Sequence, residues 1–250
     1  MEKDVPSKKR NITNRDIYRE WVKSDDLVRT IVSYKETDLC IMGTRGLEKE
    51  ATEAVLKYRT EIEEYIKIDP QFLRSLEPIE ARPRVAPIVM SMIKAAKAAG
   101  VGPMAAVAGA VAEYVGRDLL RHSSEIIVEN GGDIFIKSKK NRQFGVFAGD
   151  SPLTGKLKFE IMAHDTPLGV CTSSGTVGHS LSFGKADAAC IIAKDAALSD
   201  AVATAACNMV KGPADIEKAV EFARSIEGVL GVIVILGKKF GTWGKVKFKV

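Results

Sequence analysis

The sequence predicts an α+β fold in which a mainly antiparallel sheet packs with helices as a two-layer architecture. Three observations carry that expectation. Short apolar or alternating runs are joined by tight-turn residues, as in strands. Longer stretches place their apolar or alanine residues at helical spacing. The two kinds of segment cluster, whereas strict alternation would have pointed to a parallel sheet.

Taken in order, residues 1–20 are polar and read as an N-terminal arm, and residues 21–250 as a single domain without internal repeat or linker. From Asp26 to Met42 two apolar runs flank Tyr34-Lys35-Glu36-Thr37, a hairpin pattern. Leu47, Ala51, Val55, Tyr58, Ile62 and Ile66 recur at helical spacing among charged residues and predict a surface helix over 47–67. Pro70 to Pro83 reads as irregular, with one short helix. Ile88 to Ala99 is an alanine-rich helix opened by Pro87 and stopped by Gly100, and a second runs from about Met104 to Leu120. Both carry little charge, so they are expected to be buried against a sheet or a partner subunit.

Strands dominate from Glu125 onward. Glu125–Glu129 and Asp133–Lys137 are joined by Asn130-Gly131-Gly132, a tight-turn signal, and further runs follow near 143–148, 157–162, 168–172 and 187–193. A helix is expected from Ser199, as N-cap, to Gly212-Pro213. Another spans Asp215 to Glu227, followed by the strand Gly231–Leu236. The last lysines alternate with Val246, Phe248 and Val250, the pattern of a half-buried edge strand.

With 250 residues, 46% hydrophobic and 28% charged, the chain is neither disordered nor a small cysteine-stapled scaffold. No uninterrupted apolar stretch reaches about 18 residues, the length a spanning helix needs. The basic start lacks the apolar run of a secretory signal, so a cytoplasmic protein is expected. The net charge of +5 gathers at the ends with few interleaved aromatics, so neither nucleic acid nor membrane is an expected partner. Cys40, Cys171, Cys190 and Cys207 form no C-x-x-C pair and read as buried free thiols. With only His122, His164 and His179, a zinc site of ordinary spacing is absent.

Several motifs fail. Gly149 to Lys156 has the outline of a P-loop, but five residues separate its glycines and strands flank it. No G-x-G-x-x-G follows a strand, and no G-x-S-x-G elbow accompanies Ser174 and His179. Three segments remain. In Asn130-Gly131-Gly132-Asp133 the glycines let a ligand approach the backbone and Asp133 can accept from it; a plain hairpin turn explains the same residues. Cys171 to Ser180 is dense in hydroxyls and glycine, suited either to phosphate oxygens or to a surface loop. Asp200 and Thr204, four apart, share one helix face and offer hard oxygen ligands for Mg²⁺; Asp near a helix start also stabilises the helix dipole.

Together, Val107-Ala108-Gly109-Ala110-Val111-Ala112, Glu129 to Ile134, Thr172-Ser173-Ser174-Gly175 and Asp200 to Thr204 follow the motif order of the ApbE-like, FAD:protein FMN transferase-related superfamily. The chain resembles a branch of it across roughly residues 100–210. The resemblance implies an ApbE-like, T-fold-related architecture and a ligand, FAD or a related diphosphate, bound with Mg²⁺. It implies metal ligands at Asp200, Thr204 and the Ala108 carbonyl. Gly131, Gly132, Asp133, Thr172, Ser173, Ser174, Gly175 and Thr176 would hold the flavin nucleotide. His179 and Asp133 would be the catalytic groups, FMN passing to a hydroxyl of an acceptor protein. The family's A-K-G lysine is missing where Ala108-Gly109-Ala110 stands. Its H-I-x-D-P-x-T-G motif is also missing, with Phe183-Gly184-Lys185-Ala186-Asp187 in that region. Two alternatives follow from those departures, a flavin-binding module without turnover and an oligomeric interaction protein. A homo-oligomer fits all three.

Overall fold

The computed structural model describes residues 24–176 and 183–249, so the polar arm lies outside it. The hairpin comes first, as β1 (Val28–Tyr34) and β2 (Thr37–Gly43). Helix α1 (Glu48–Ile68) buries Ala51, Val55, Tyr58 and Ile62 and turns most of its charged residues to water. The short α2 (Gln71–Arg74) and an irregular stretch lead to α3 (Pro87–Ala99), which has Pro87 in its first turn and ends at Gly100, in the left-handed region at φ 70°. A 3₁₀ turn over Pro103–Ala106 runs into α4 (Val107–Leu119).

The strands are β3 (Ile126–Asn130), β4 (Asp133–Lys137), β5 (Arg142–Gly145), β6 (Lys158–Ile161), β7 (Leu168–Ser173) and β8 (Ala188–Ala193). Helices α5 (Ala196–Met209) and α6 (Ile216–Ser225) precede β9 (Val229–Leu236), β10 (Lys239–Gly244) and β11 (Lys247–Lys249). Eight strands form one antiparallel sheet in the order β1-β2-β3-β4-β7-β8-β9-β10, and β11-β6-β5 form a second. Helices and large sheet make the two expected layers. The segment between β4 and β7 leaves that sheet to build most of the small one, an addition the sequence reading does not anticipate.

Strand periodicity shows how the outer face is covered. Along β9, Val232 and Val234 join the core under the helices, while Ile233 and Ile235 join a second core with Phe144 and Phe159 of the small sheet. Both faces are therefore dry, which is why β8 and β9 read as nearly continuous apolar runs. Phe135, wholly buried against α4, contributes about 2–3 kcal/mol of apolar burial. Among the described residues no single helix is long and apolar enough to cross a membrane; α3 and the segment through α4 pass such a test only as a pair bent by 106°.

Helix α5 corrects one expectation. It starts at Ala196, not near Ser199, because Asp195 is the N-cap and accepts from the Leu198 N–H at 2.7 Å. Asp caps as well as Ser, and Ala196-Ala197-Leu198 are good helix formers. Ser199 is buried instead, donating to the Ile191 carbonyl at 2.6 Å and accepting from the Cys171 N–H at 3.1 Å. It ties α5 to β7 and β8. The four cysteines are free and buried, as expected.

Candidate functional site

Between α5, the loop before α4 and the end of α2 lies a cleft of about 730 Å³. Its polar lining includes Asp133, Asp200, Thr204 and Asn208. Three of these come from α5 at spacing four, one continuous stripe on its face. Leu73, Leu76, Met104 and Phe183 supply apolar wall.

Helices α4 and α5 meet closely where the site forms. A Cβ on Gly109 would lie 2.2 Å from the Ala196 carbonyl oxygen, so only glycine fits. That approach lets the Gly109 N–H donate to Asp200 Oδ2 at 2.9 Å. The first contact of β4 with the cleft is Asp133, directly after the two-residue turn in which Gly131 and Gly132 take φ 67° and 107°. The Asn130 amide donates to the Ala108 carbonyl at 3.1 Å, docking this hairpin on α4. Ala108 is in the first turn of α4, so this carbonyl also faces the helical N–H four residues on, and a cation would be a further partner of the same oxygen. The Ser173 and Thr204 hydroxyls are hydrogen-bonded at 3.1 Å, which holds Thr204 at the wall.

The electrostatics are unusual for so small a cluster. Burial pushes Asp200 up to about 7, although the Gly109 and Ala108 amides pull the other way. Burial and then the neighbouring Asp200 push Asp133 well above the carboxylate range; the Cys171 thiol and Thr172 N–H only partly oppose them. Burial, followed by both carboxylates, raises Cys171 in turn. Asp133 Oδ1 is buried and has no hydrogen-bond partner. An orphaned buried acceptor beside a second buried acid marks a site short of positive charge.

A divalent cation fits that deficit. Two carboxylates, the Thr204 hydroxyl and the Ala108 carbonyl are all hard oxygen donors, the set Mg²⁺ uses with several waters. Among the described residues no three His, Cys, Asp or Glu side chains form a metal-binding group, so such a cation would draw on backbone, hydroxyl and water oxygens too.

Of the residues singled out from sequence, the structure gathers Asp133, Asp200, Thr204 and Ala108 at the cleft, with Ser173 touching Thr204. The others that are described make contacts within the fold. The Gly132 N–H, expected to face a ligand, donates to Glu129 Oε1 at 2.9 Å. Thr172 lies in β7 opposite Cys190. Ser174 and Thr176 bond each other, Thr176 also donating to Asp187, and the Gly175 N–H donates to the Ala186 carbonyl. These bonds shape the loop that follows β7. His179 lies outside the described residues. Phe183 and Asn208 were missed; extending the Asp200–Thr204 spacing by one more turn would have found Asn208.

Comparison with known proteins agrees with this architecture. A family model described as "AbpE bacteria" matches residues 19–242. A "UPF0280 protein" of Methanocaldococcus jannaschii is 42% identical over 218 residues, covering 85% of this chain and 88% of the relative. One from Archaeoglobus fulgidus is 43% identical over 208 residues, covering 80% and 85%. The crystal structure of an ApbE protein from Thermotoga maritima superposes with a TM-score of 0.56 at 14% identity, covering 86% of this chain and 96% of that one. The apo flavinyl transferase ApbE of Pseudomonas stutzeri gives 0.52 at 14%, covering 89% and 94%. The chain belongs to this AbpE family, an ApbE-like branch that its UPF0280 relatives share.

Proposed function

We propose that this protein binds FAD, or a related diphosphate-containing ligand, together with Mg²⁺ in the α4–α5 cleft, and that it transfers FMN to a hydroxyl of an acceptor protein. The observation that carries the reading is the buried, cation-deficient pair Asp133 and Asp200 beside Thr204 and the Ala108 carbonyl. Asp200, Thr204 and that carbonyl hold the metal; bound there, Mg²⁺ offsets the charge of the pyrophosphate. Gly109 and Ser173 fix the two side-chain ligands before anything binds. The acceptor oxygen displaces AMP from the FMN phosphorus, forming a phosphoester as the P–O bond to AMP breaks. Asp133 takes the hydroxyl proton, a role suited to a carboxylate that burial and the neighbouring Asp200 make more basic than usual. His179 is the other candidate for that step.

The runner-up is a binding module without turnover. It is favoured by Ala108-Gly109-Ala110, where the family's lysine is absent and the packing at Gly109 leaves no room for a side chain. Incubation with FAD, Mg²⁺ and candidate acceptor proteins, read by intact-mass spectrometry, separates the two. Transfer adds one FMN less water to the acceptor and releases AMP. Retained FAD with unmodified acceptors would favour the module.

A further inference from the structure

We infer that Phe183 is the platform on which the ligand's planar ring stacks, placing the ring at the C-terminal end of α5 and the charged phosphates at Asp200. This deepens the flavin-nucleotide reading and rests on it. Phe183 is 54% exposed. A single exposed apolar side chain needs no explanation. This one differs because its backbone is fixed while its ring is left uncovered. The Phe183 N–H donates to Asn208 Oδ1 at 2.7 Å, and its carbonyl accepts from Lys211 Nζ. The next residue presses onto the last turn of α5, where a Cβ on Gly184 would meet the Cys207 carbonyl oxygen at 1.7 Å. The Lys185 N–H then donates to the Val210 carbonyl at 2.7 Å.

Four contacts therefore hold an aromatic residue at the rim of the cleft that contains the two acids. The exposed side chains of Leu73, Leu76 and Met209 line the same cleft. Uncovered apolar surface on a pre-set backbone is what a binding wall needs, because no loop has to be ordered when the ligand arrives. The stripe also sets the scale. Asp200 to Asn208 is two helical turns, about 12 Å along the axis at the usual rise per residue. A ring joined through a ribityl-type linker to a pyrophosphate reaches from one end to the other. Phe183 thus reads the ring and Asn208 is a positioning residue that acts through it.

The test compares wild type, F183L and F183W with Mg²⁺ present, using FAD and ADP in calorimetry and FMN fluorescence as the stacking signal. Their thermal melts should coincide, since the side chain is exposed. F183L should weaken FAD binding about tenfold, in line with aromatic stacking on a planar base, and lose the quenching of FMN. F183W should restore both, and ADP affinity should change less than twofold. Unchanged FAD affinity and quenching in F183L would overturn the proposal alone. Equal loss of ADP and FAD would overturn it too, by placing Phe183 at the nucleotide end. Failure of the wild type to bind FAD would remove the flavin reading itself, and this orientation with it.

Discussion

Two groups of acids in this molecule are treated in opposite ways. Beside the small sheet, Asp26 and Glu125 surround Arg142, whose guanidinium bonds Asp26 Oδ1 at 2.5 Å and Glu125 Oε2 at 3.2 Å. Arg142 and then Lys140 hold Asp26 far below the usual carboxylate range. Burial pushes Glu125 up, but the Lys139 N–H, the Ser138 hydroxyl and Arg142 outweigh it and bring it down. Under the helices, Asp133 and Asp200 share a pocket and are raised, and one carboxylate oxygen has no partner. The first cluster is complete and serves the fold. The second is left short of a cation, which is the state expected of a site that a ligand completes.

The largest way to break that contrast is D200A. Binding of FAD should lose its Mg²⁺ dependence and weaken at least 100-fold by calorimetry, while the same experiment on R142M should match wild type. R142M should instead cost about 2–3 kcal/mol in denaturant unfolding, less than for a fully enclosed pair because Asp26 keeps 34% of its surface.

The pH profiles should differ in sign. Asp26 and Glu125 have lowered values in the fold, so their contribution is present above about pH 4 and lost as pH falls below it. Asp200 is raised, so its contribution is present below about pH 4 and lost as pH climbs through about 7. Ligand-free D200N should therefore melt higher than wild type at pH 8 and converge with it near pH 4. A constant difference across that range would mean the burial of Asp200 is not what raises it.

Smaller effects sharpen the site. G109A must push α5 from α4 and should cost about 1–2 kcal/mol in stability, with weaker Mg²⁺ binding as Asp200 leaves its amide. S173A removes only the hydroxyl bonded to Thr204 and should lower Mg²⁺ affinity about threefold, near 0.7 kcal/mol.

Much of this was legible in the residues, for identifiable reasons. The hairpin at Lys35, α1 and the Gly131-Gly132 turn follow from local periodicity and turn chemistry, which tertiary contacts did not override. Asp200 and Thr204 were found because spacing four is a local property of a helix. The start of α5 was misplaced because Asp195 and Ser199 are both competent caps, and only the contacts of Ser199 with Ile191 and Cys171 decide between them. The small sheet was not foreseen since strands buried on two faces carry no mark of what lies on each. The orphaned oxygen of Asp133 and the fixed backbone of Phe183 depend on partners distant in sequence, Asp200 for one and Asn208 for the other.

The central claim, that the α4–α5 cleft is built to receive a divalent cation between Asp200, Thr204 and the Ala108 carbonyl, is tested most directly by locating Mn²⁺. Crystals grown with Mn²⁺ and FAD near pH 8 should show one anomalous peak within about 2.0–2.4 Å of the Asp200 carboxylate, and D200N crystals none. A peak elsewhere in the wild type, or an empty cleft at saturating Mn²⁺, would contradict the account.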